Sequence, residues 1–187
     1  MINSSVSCII LAGGEGRRFD NKDKGLILLN NKPLIEHIIE CIRPQVDDIV
    51  ISANRNINHY KKYADKVIED IGVGFNGPLS GINACIDECN HEWILVVPCD
   101  IPQLPDDLVK KLRQTDNSRL IVAESHERRQ LVFLMHRTLK EDLNDFLEQG
   151  HQKAMSWIEL QNPEVVAFEN DVDGFLNINT PDKLTLL

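Results

Sequence analysis

The stretch IILAGGEGRRFDNKDKGL, residues 9–26, decides how the rest of the chain is read. A β-branched apolar run ends on Gly13, Gly14 and Gly16, and Arg17, Arg18, Lys22 and Lys24 follow close behind. Two readings stand: a strand-to-helix turn with a solvated charged face, or a loop built to hold an anion. Glycines let the backbone take positive φ and approach a ligand closely, presenting N–H groups to phosphate oxygens. Arg18 can fork onto such oxygens, and Lys24 can supply a compact charge. A Walker GxxxxGK[ST] string does not occur, and the Rossmann GxGxxG fails because Gly14-Glu15-Gly16-Arg17-Arg18 is followed by Phe19. Asp23, beside Lys24, reads as a local structural partner.

Short apolar runs of strand type alternate with helical patterns on either side of this loop. SCIILAG (7–13), DIVISAN (48–54), VIED with its preceding lysine (66–70) and WILVVPCD (93–100) read as strands. LIEHIIECI (34–42) carries apolar residues at 34, 35, 38, 39 and 42, the spacing of one helix face, after Pro33. GPLSGINACIDEC (77–89) and PDDLVKKLRQ (105–114) read as helices, the second with Pro105 at its first position and acids in its first turn. RLIVAES and QLVFLMH are later strands, LKEDLNDFLEQG is a helix closed by Gly150, and EVVAFE is a further strand. Thr180-Pro181 opens a last short helix. The alternation implies right-handed βαβ units and a three-layer α/β/α, Rossmann-like fold with a mostly parallel mixed sheet; the later strand pair is expected to run partly antiparallel.

Composition fits that class. The 187 residues are 42% hydrophobic and 26% charged, suiting one globular domain over 1–187. A net charge of −9 argues against a broad nucleic-acid surface but leaves room for a local positive pocket. Five cysteines, odd in number and without a CxxC pair, fit free thiols in a reducing cytoplasm, and no signal-peptide pattern is seen. Cys85 and Cys89 lie four apart on an expected helix: they read first as small buried residues, with contact to a metal as the alternative. No apolar run approaches the ~20 residues that span a bilayer.

In a sheet of this kind ligands bind beyond the carboxyl ends of the strands. Gly13-Gly14, Ser52 to Asn54, Asp70 and Asp100 all fall at such ends, so four strands point to one crevice. A carboxylate ending an apolar strand, held between Pro98 and Pro102, is costly to bury unless it meets a cation or donors. With phosphates present Mg²⁺ suits it, taking one or two carboxylates and completing its shell with water and substrate oxygens. The alternative for Asp100 is an N-cap of the following helix. Asp70 offers a second carboxylate, for the metal through water or for a ribose hydroxyl.

Taken together, LAGGEGRRFDNKDKG, NKPLIEH, VIED, GPLSG, VPCDIP and NINTPD resemble the molybdenum cofactor guanylyltransferases, the MobA family of nucleotidyltransferases. The resemblance implies the nucleotide-diphospho-sugar transferase type of fold and transfer of GMP from GTP to the terminal phosphate of Mo-molybdopterin, releasing pyrophosphate. It implies that Leu11, Ala12, Gly13 and Gly14 contact GTP, with Ser52, Asp70 and Gly77 also on the nucleotide. Lys24 would bind the phosphates, Arg18 would balance their charge, and Asp100 would hold Mg²⁺. Asn177 and Asn179 would lie toward the pterin. Transient contact with molybdenum-insertion proteins, molybdoenzymes or their chaperones also follows, with no nucleic-acid or membrane partner. The chain departs from the family pattern at Phe19-Asp20, where many relatives have Met-Gly. It departs again at Ser52, where an Asn is common and Asn54 is a substitute, and in SHERRQLVFLMH, which lacks a His-Pro pair. The competing readings are cytidylyl transfer to molybdopterin or another phosphorylated acceptor, and a nucleotide-binding module without catalysis.

Overall fold

The computed structural model describes residues 5–13, 23–69, 77–114, 118–169 and 172–178. Its centre is a seven-stranded sheet formed by β1 (Val6–Leu11), β4 (Asp48–Ser52), β5 (Lys66–Ile68), β6 (Trp93–Pro98), β7 (Leu120–Ser125), β8 (Arg128–His136) and β9 (Glu164–Ala167), in the order β5-β4-β1-β6-β8-β7-β9. β1 pairs in parallel with β4 and β6, β4 with β5, and β7 with β9. β8 runs against both its neighbours, β6 and β7. The partly antiparallel character expected of the later strands therefore resides in β8. Its hairpin turn places His126 and Glu127 at φ 54° and 58°, the left-handed pair that a two-residue turn between twisted strands requires.

The period-two alternation of the strands splits the core into two layers. Cys8, Ile10, Ile49, Ile51, Leu95, Val97, Ile121 and Leu134 face one side, where Ile35, Ile38 and Ile42 of α1 (Leu34–Ile42) pack. Ile9, Val50, Ile94, Val96, Val122, Phe133 and Met135 face the other. That side is covered by α3 (Pro78–Ile86), α5 (Lys140–Glu148) and α6 (Ala154–Leu160). Helices on both faces of a mixed, mostly parallel sheet make the three-layer α/β/α architecture.

Several local expectations are corrected. The helix read over 77–89 ends at Ile86, so Cys89 lies beyond it and its thiol donates to the Cys85 carbonyl at 3.5 Å. The helix read from Pro105 starts at Leu108, giving the short α4 (Leu108–Leu112), because 105–107 form a turn. A small hairpin of β2 (Leu28–Leu29) and β3 (Lys32–Pro33) precedes α1, turning through Asn30 and Asn31 at φ 51° and 63°. A one-turn helix, α2 (Ile57–Tyr60), follows β4. The expected helix from Thr180 lies outside the described residues.

Candidate active site

The register of β1 sets the site. Leu11 stands opposite Ser52 of β4 and Pro98 of β6, so three strands end level. Beyond them, Ala12 N–H donates to the Ser52 carbonyl at 2.8 Å and Cys99 N–H to the Leu11 carbonyl at 3.0 Å. These bonds hold Ala12, Gly13, Cys99 and Asp100 at one edge. A Cβ at Gly13 would sit 3.3 Å from Asn54 Nδ2, closer than most side chains tolerate. The glycine thus lets the loop lie against the segment after β4.

Lys24 arrives on a 3-10 turn, Lys24–Leu26, whose preceding residue Asp23 accepts from Gly25 N–H at 3.2 Å. The Lys24 ammonium donates to Asp100 Oδ2 at 2.7 Å, joining residues 76 apart in sequence. Asp100 is 6% exposed. Its other oxygen, Oδ1, is buried and finds no hydrogen-bond partner among the described residues. A buried anionic oxygen without a donor costs free energy, so the chemistry of this corner calls for a further cation or donor. The N-cap alternative for Asp100 is not realised, since α4 begins at Leu108. Burial, with Asp100 and Asp23 nearby, pushes the adjacent Cys99 thiol far up, so it stays a neutral thiol.

The segment after the last 3-10 turn closes the corner. Ile178 N–H donates to the Asp100 carbonyl at 2.8 Å, and the Ile178 side chain packs with Leu29 and Leu34. Asn177, half-buried, is thereby carried to the Asp100 side. On the opposite flank Ser52 is 2% exposed, pressed under α3: a Cβ at Gly81 would strike its hydroxyl. Asn54 is exposed beside Gly13. Because α3 connects the end of β5 to the start of β6, Gly77 at its N-terminus lies at the same end of the sheet as the strand tips.

The structure therefore brings Leu11, Ala12, Gly13, Ser52, Lys24, Asp100 and Asn177 to one end of the sheet. Gly14, Arg18, Asp20, Asp70 and Asn179 lie outside the described residues. Among the described residues no group of three or more His, Cys, Asp or Glu side chains could cage a metal ion. A single buried carboxylate such as that of Asp100 suits a hard divalent cation, which can rely on waters and substrate oxygens rather than on a protein cage. Sequence reasoning passed over Asn56 and Tyr60, which bind Asp23 through its two carboxylate oxygens. No periodicity marks them, since α2 is only one turn long. Among the described residues no helix is long and apolar enough to cross a membrane.

Known proteins share this fold and much of this sequence. Residues 8–165 match the MobA-like NTP transferase domain. A molybdenum cofactor guanylyltransferase from Yersinia pestis (strain Pestoides F) is 44% identical over 179 residues, covering 95% of this chain and 92% of its own length. Among solved structures, molybdopterin-guanine dinucleotide biosynthesis protein A from Archaeoglobus fulgidus superposes with a TM-score of 0.75 at 23% identity, covering 96% of this chain and 95% of that one. Rv0371c from Mycobacterium tuberculosis, solved in complex with manganese, gives 0.73 at 15% identity, covering 98% of each. The two structures share the fold, and the sequence match goes further: the chain belongs to the MobA-like NTP transferase family, alongside the molybdenum cofactor guanylyltransferases.

Proposed function

We infer that the chain transfers the GMP unit of GTP to the terminal phosphate of molybdopterin carrying molybdenum, forming the guanine dinucleotide cofactor and pyrophosphate. The observation that carries the reading is the Lys24–Asp100 pair at the level ends of β1 and β6, with Asp100 Oδ1 buried and without a hydrogen-bond partner among the described residues.

An oxygen of the acceptor phosphate attacks the α-phosphorus of GTP. The bond from the α-phosphorus to its bridging oxygen breaks, and pyrophosphate leaves with that electron pair. A phosphate monoester has a second pKa of about 6 and is largely dianionic at neutral pH. It needs no dedicated base, so the residues act by positioning and charge neutralisation. Leu11, Ala12, Gly13 and Gly14 cradle the nucleotide through the backbone. Lys24 and Arg18 bind its phosphates, and Asp70 and Gly77 flank it. Asn54, exposed beside Gly13, takes the contact that the buried Ser52 hydroxyl is too confined to make. Asn177 and Asn179 face the acceptor. Asp100 would hold Mg²⁺, which when bound supplies neutralisation of the triphosphate; the unpartnered Oδ1 and the manganese complex of a protein of the same fold support this. The free cysteines fit a reducing cytoplasm, and the product's consumers imply transient contact with molybdenum-insertion proteins, molybdoenzymes or their chaperones.

The test incubates the chain with Mg²⁺, Mo-molybdopterin and GTP or CTP labelled at the α-phosphate. Label is expected to pass from GTP into the dinucleotide with stoichiometric pyrophosphate. Preferential transfer from CTP would overturn the guanylyl assignment. Tight GTP binding without pyrophosphate release would overturn catalysis itself.

A further inference from the structure

Lys24 must hold its ammonium against Asp100, yet the turn that carries it spans only Lys24–Leu26 and 3-10 turns of this length have little stability of their own. The order comes from the preceding residue. Asp23 has a buried side chain, and its carboxylate is enclosed by donors. Gly25 N–H reaches Oδ1 at 3.2 Å, Asn56 Nδ2 reaches Oδ2 at 3.0 Å, and the Tyr60 hydroxyl donates to Oδ1. The Arg55 Nε lies 3.8 Å from Oδ2.

Tyr60 is fully buried in the core layer that also holds Ile35 and Ile38. Burial first, then the nearby Cys99 and Asp23, pushes its phenol far above the ordinary tyrosine range, so it remains a donor. The Asp23-Lys24-Gly25 backbone is shaped around it. A Cβ at Gly25 would meet the Tyr60 hydroxyl and sit 3.2 Å from its ring carbons. Asn56 takes φ 54°, a left-handed conformation that asparagine accepts and that aims the segment after β4 back at Asp23. Asn54, next to Gly13, belongs to that same segment.

We propose that Tyr60 and Asn56 are positioning residues for guanylyl transfer, clamping Asp23 so that Lys24 stands against Asp100. The proposal rests on Lys24 acting on the phosphates, as inferred above. Neither residue touches substrate in this scheme; both act through Lys24. Misplacing a catalytic group by about 1 Å costs on the order of a hundredfold in rate, which sets the expected scale.

The experiment measures single-turnover pyrophosphate release, and the KM for each substrate, in Tyr60→Phe, Asn56→Gly and Lys24→Ala and in Tyr60→Phe combined with Lys24→Ala. Tyr60→Phe keeps the ring and removes the donor. Asn56→Gly accepts the positive φ and removes the amide from an exposed position, so it tests the clamp even if Tyr60→Phe folds poorly. Both are expected to lower kcat by about ten- to a hundredfold with KM little changed. Tyr60→Phe should cost less than about twofold more once Lys24 is alanine, since it has no other route to the reaction. Additive losses in the double variant, a loss confined to KM, or wild-type turnover in both clamp variants while Lys24→Ala is impaired would each overturn the proposal. Wild-type turnover in Lys24→Ala would instead overturn the role of Lys24 on which it rests.

Discussion

Asp100→Asn separates what the carboxylate does for folding from what it does for chemistry. The substitution keeps shape and removes charge. On the stability side it gives up the charge-assisted bond from Lys24 at 2.7 Å, a class worth about 1.5–3 kcal/mol. Against that, the folded protein no longer buries an anionic oxygen that has no hydrogen-bond partner among the described residues, a penalty of about 1–3 kcal/mol or more. The Lys24 side chain is 21% exposed and can turn to water, so the severe cost of stranding a buried charge does not arise. The terms nearly cancel, leaving a net change within about 1 kcal/mol and a Tm shift within about 4 °C for a chain of this size.

Activity has no such compensation. The amide offers a metal one weak neutral oxygen and loses the charge that fixes Lys24, so turnover should fall by about 10²–10³-fold or more, the scale of losing one preorganised electrostatic partner. Calorimetry in the absence of nucleotide and pyrophosphate release with GTP and Mo-molybdopterin measure the two sides. Turnover within about tenfold of wild type would refute the role given to Asp100. A Tm drop of much more than about 8 °C would show that the pair is chiefly structural and that the cancellation is wrong.

Two further outcomes test the frame around the site. Gly81→Ala places a methyl group against the Ser52 hydroxyl and 3.3 Å from its Cβ. Overpacking of this kind costs about 1–3 kcal/mol, only partly offset by the ~1 kcal/mol helix preference for alanine; a lower Tm and a higher KM for GTP are expected, and a Tm at or above wild type would contradict the packing. Asp65 accepts from the Arg43 guanidinium and from Ile49 N–H, both at 2.8 Å. Burial pulls its pKa upward, but those two bonds outweigh it and hold it below the ordinary 3.8. A depressed folded value contributes stability above the unfolded pKa and loses it as pH falls through the folded one. Asp65→Asn should thus lower the unfolding free energy from urea titration slightly at neutral pH, by the ~0.2–1 kcal/mol of an exposed pair, and the gap to wild type should close in acid below 3.8. A gap that persists there would refute the linkage.

The parts of this fold that were readable from sequence are those whose burial leaves a long signature. β1, β4 and β6 are dominated by apolar residues because both their faces are covered, and α1 shows a full stripe because it packs along its whole length. Short elements leave no such mark. α6 buries Trp157 and Ile158 in seven residues, too few for a stripe to repeat. The β2–β3 hairpin pairs only two residues a side, although Asn30-Asn31 at its turn was a usable signal. The β7–β8 turn uses His126-Glu127, which carries no such signal at all. Strand ends in glycine or aspartate pointed to Gly13 and Asp100. The clamp on Asp23 could not be read, because a tyrosine in a one-turn helix looks like any other core residue.

The position of the site follows from the order of the connections. After β1 the chain passes through α1 to β4 on one side, then returns through α3 to β6 on the other. Right-handed crossovers in opposite directions must lie on opposite faces of the sheet. α1 and α3 do so, one in each core layer. Above the end of β1 the two connections therefore diverge and leave a crevice. Loops line it, and Lys24, on the turn that precedes the β2–β3 hairpin, stands against Asp100 beyond the end of β6. A buried carboxylate satisfied through one oxygen is a poor way to stabilise a resting fold. It is a suitable way to keep a second oxygen ready for a ligand, which accounts for a half-answered charge at the one place where the topology opens.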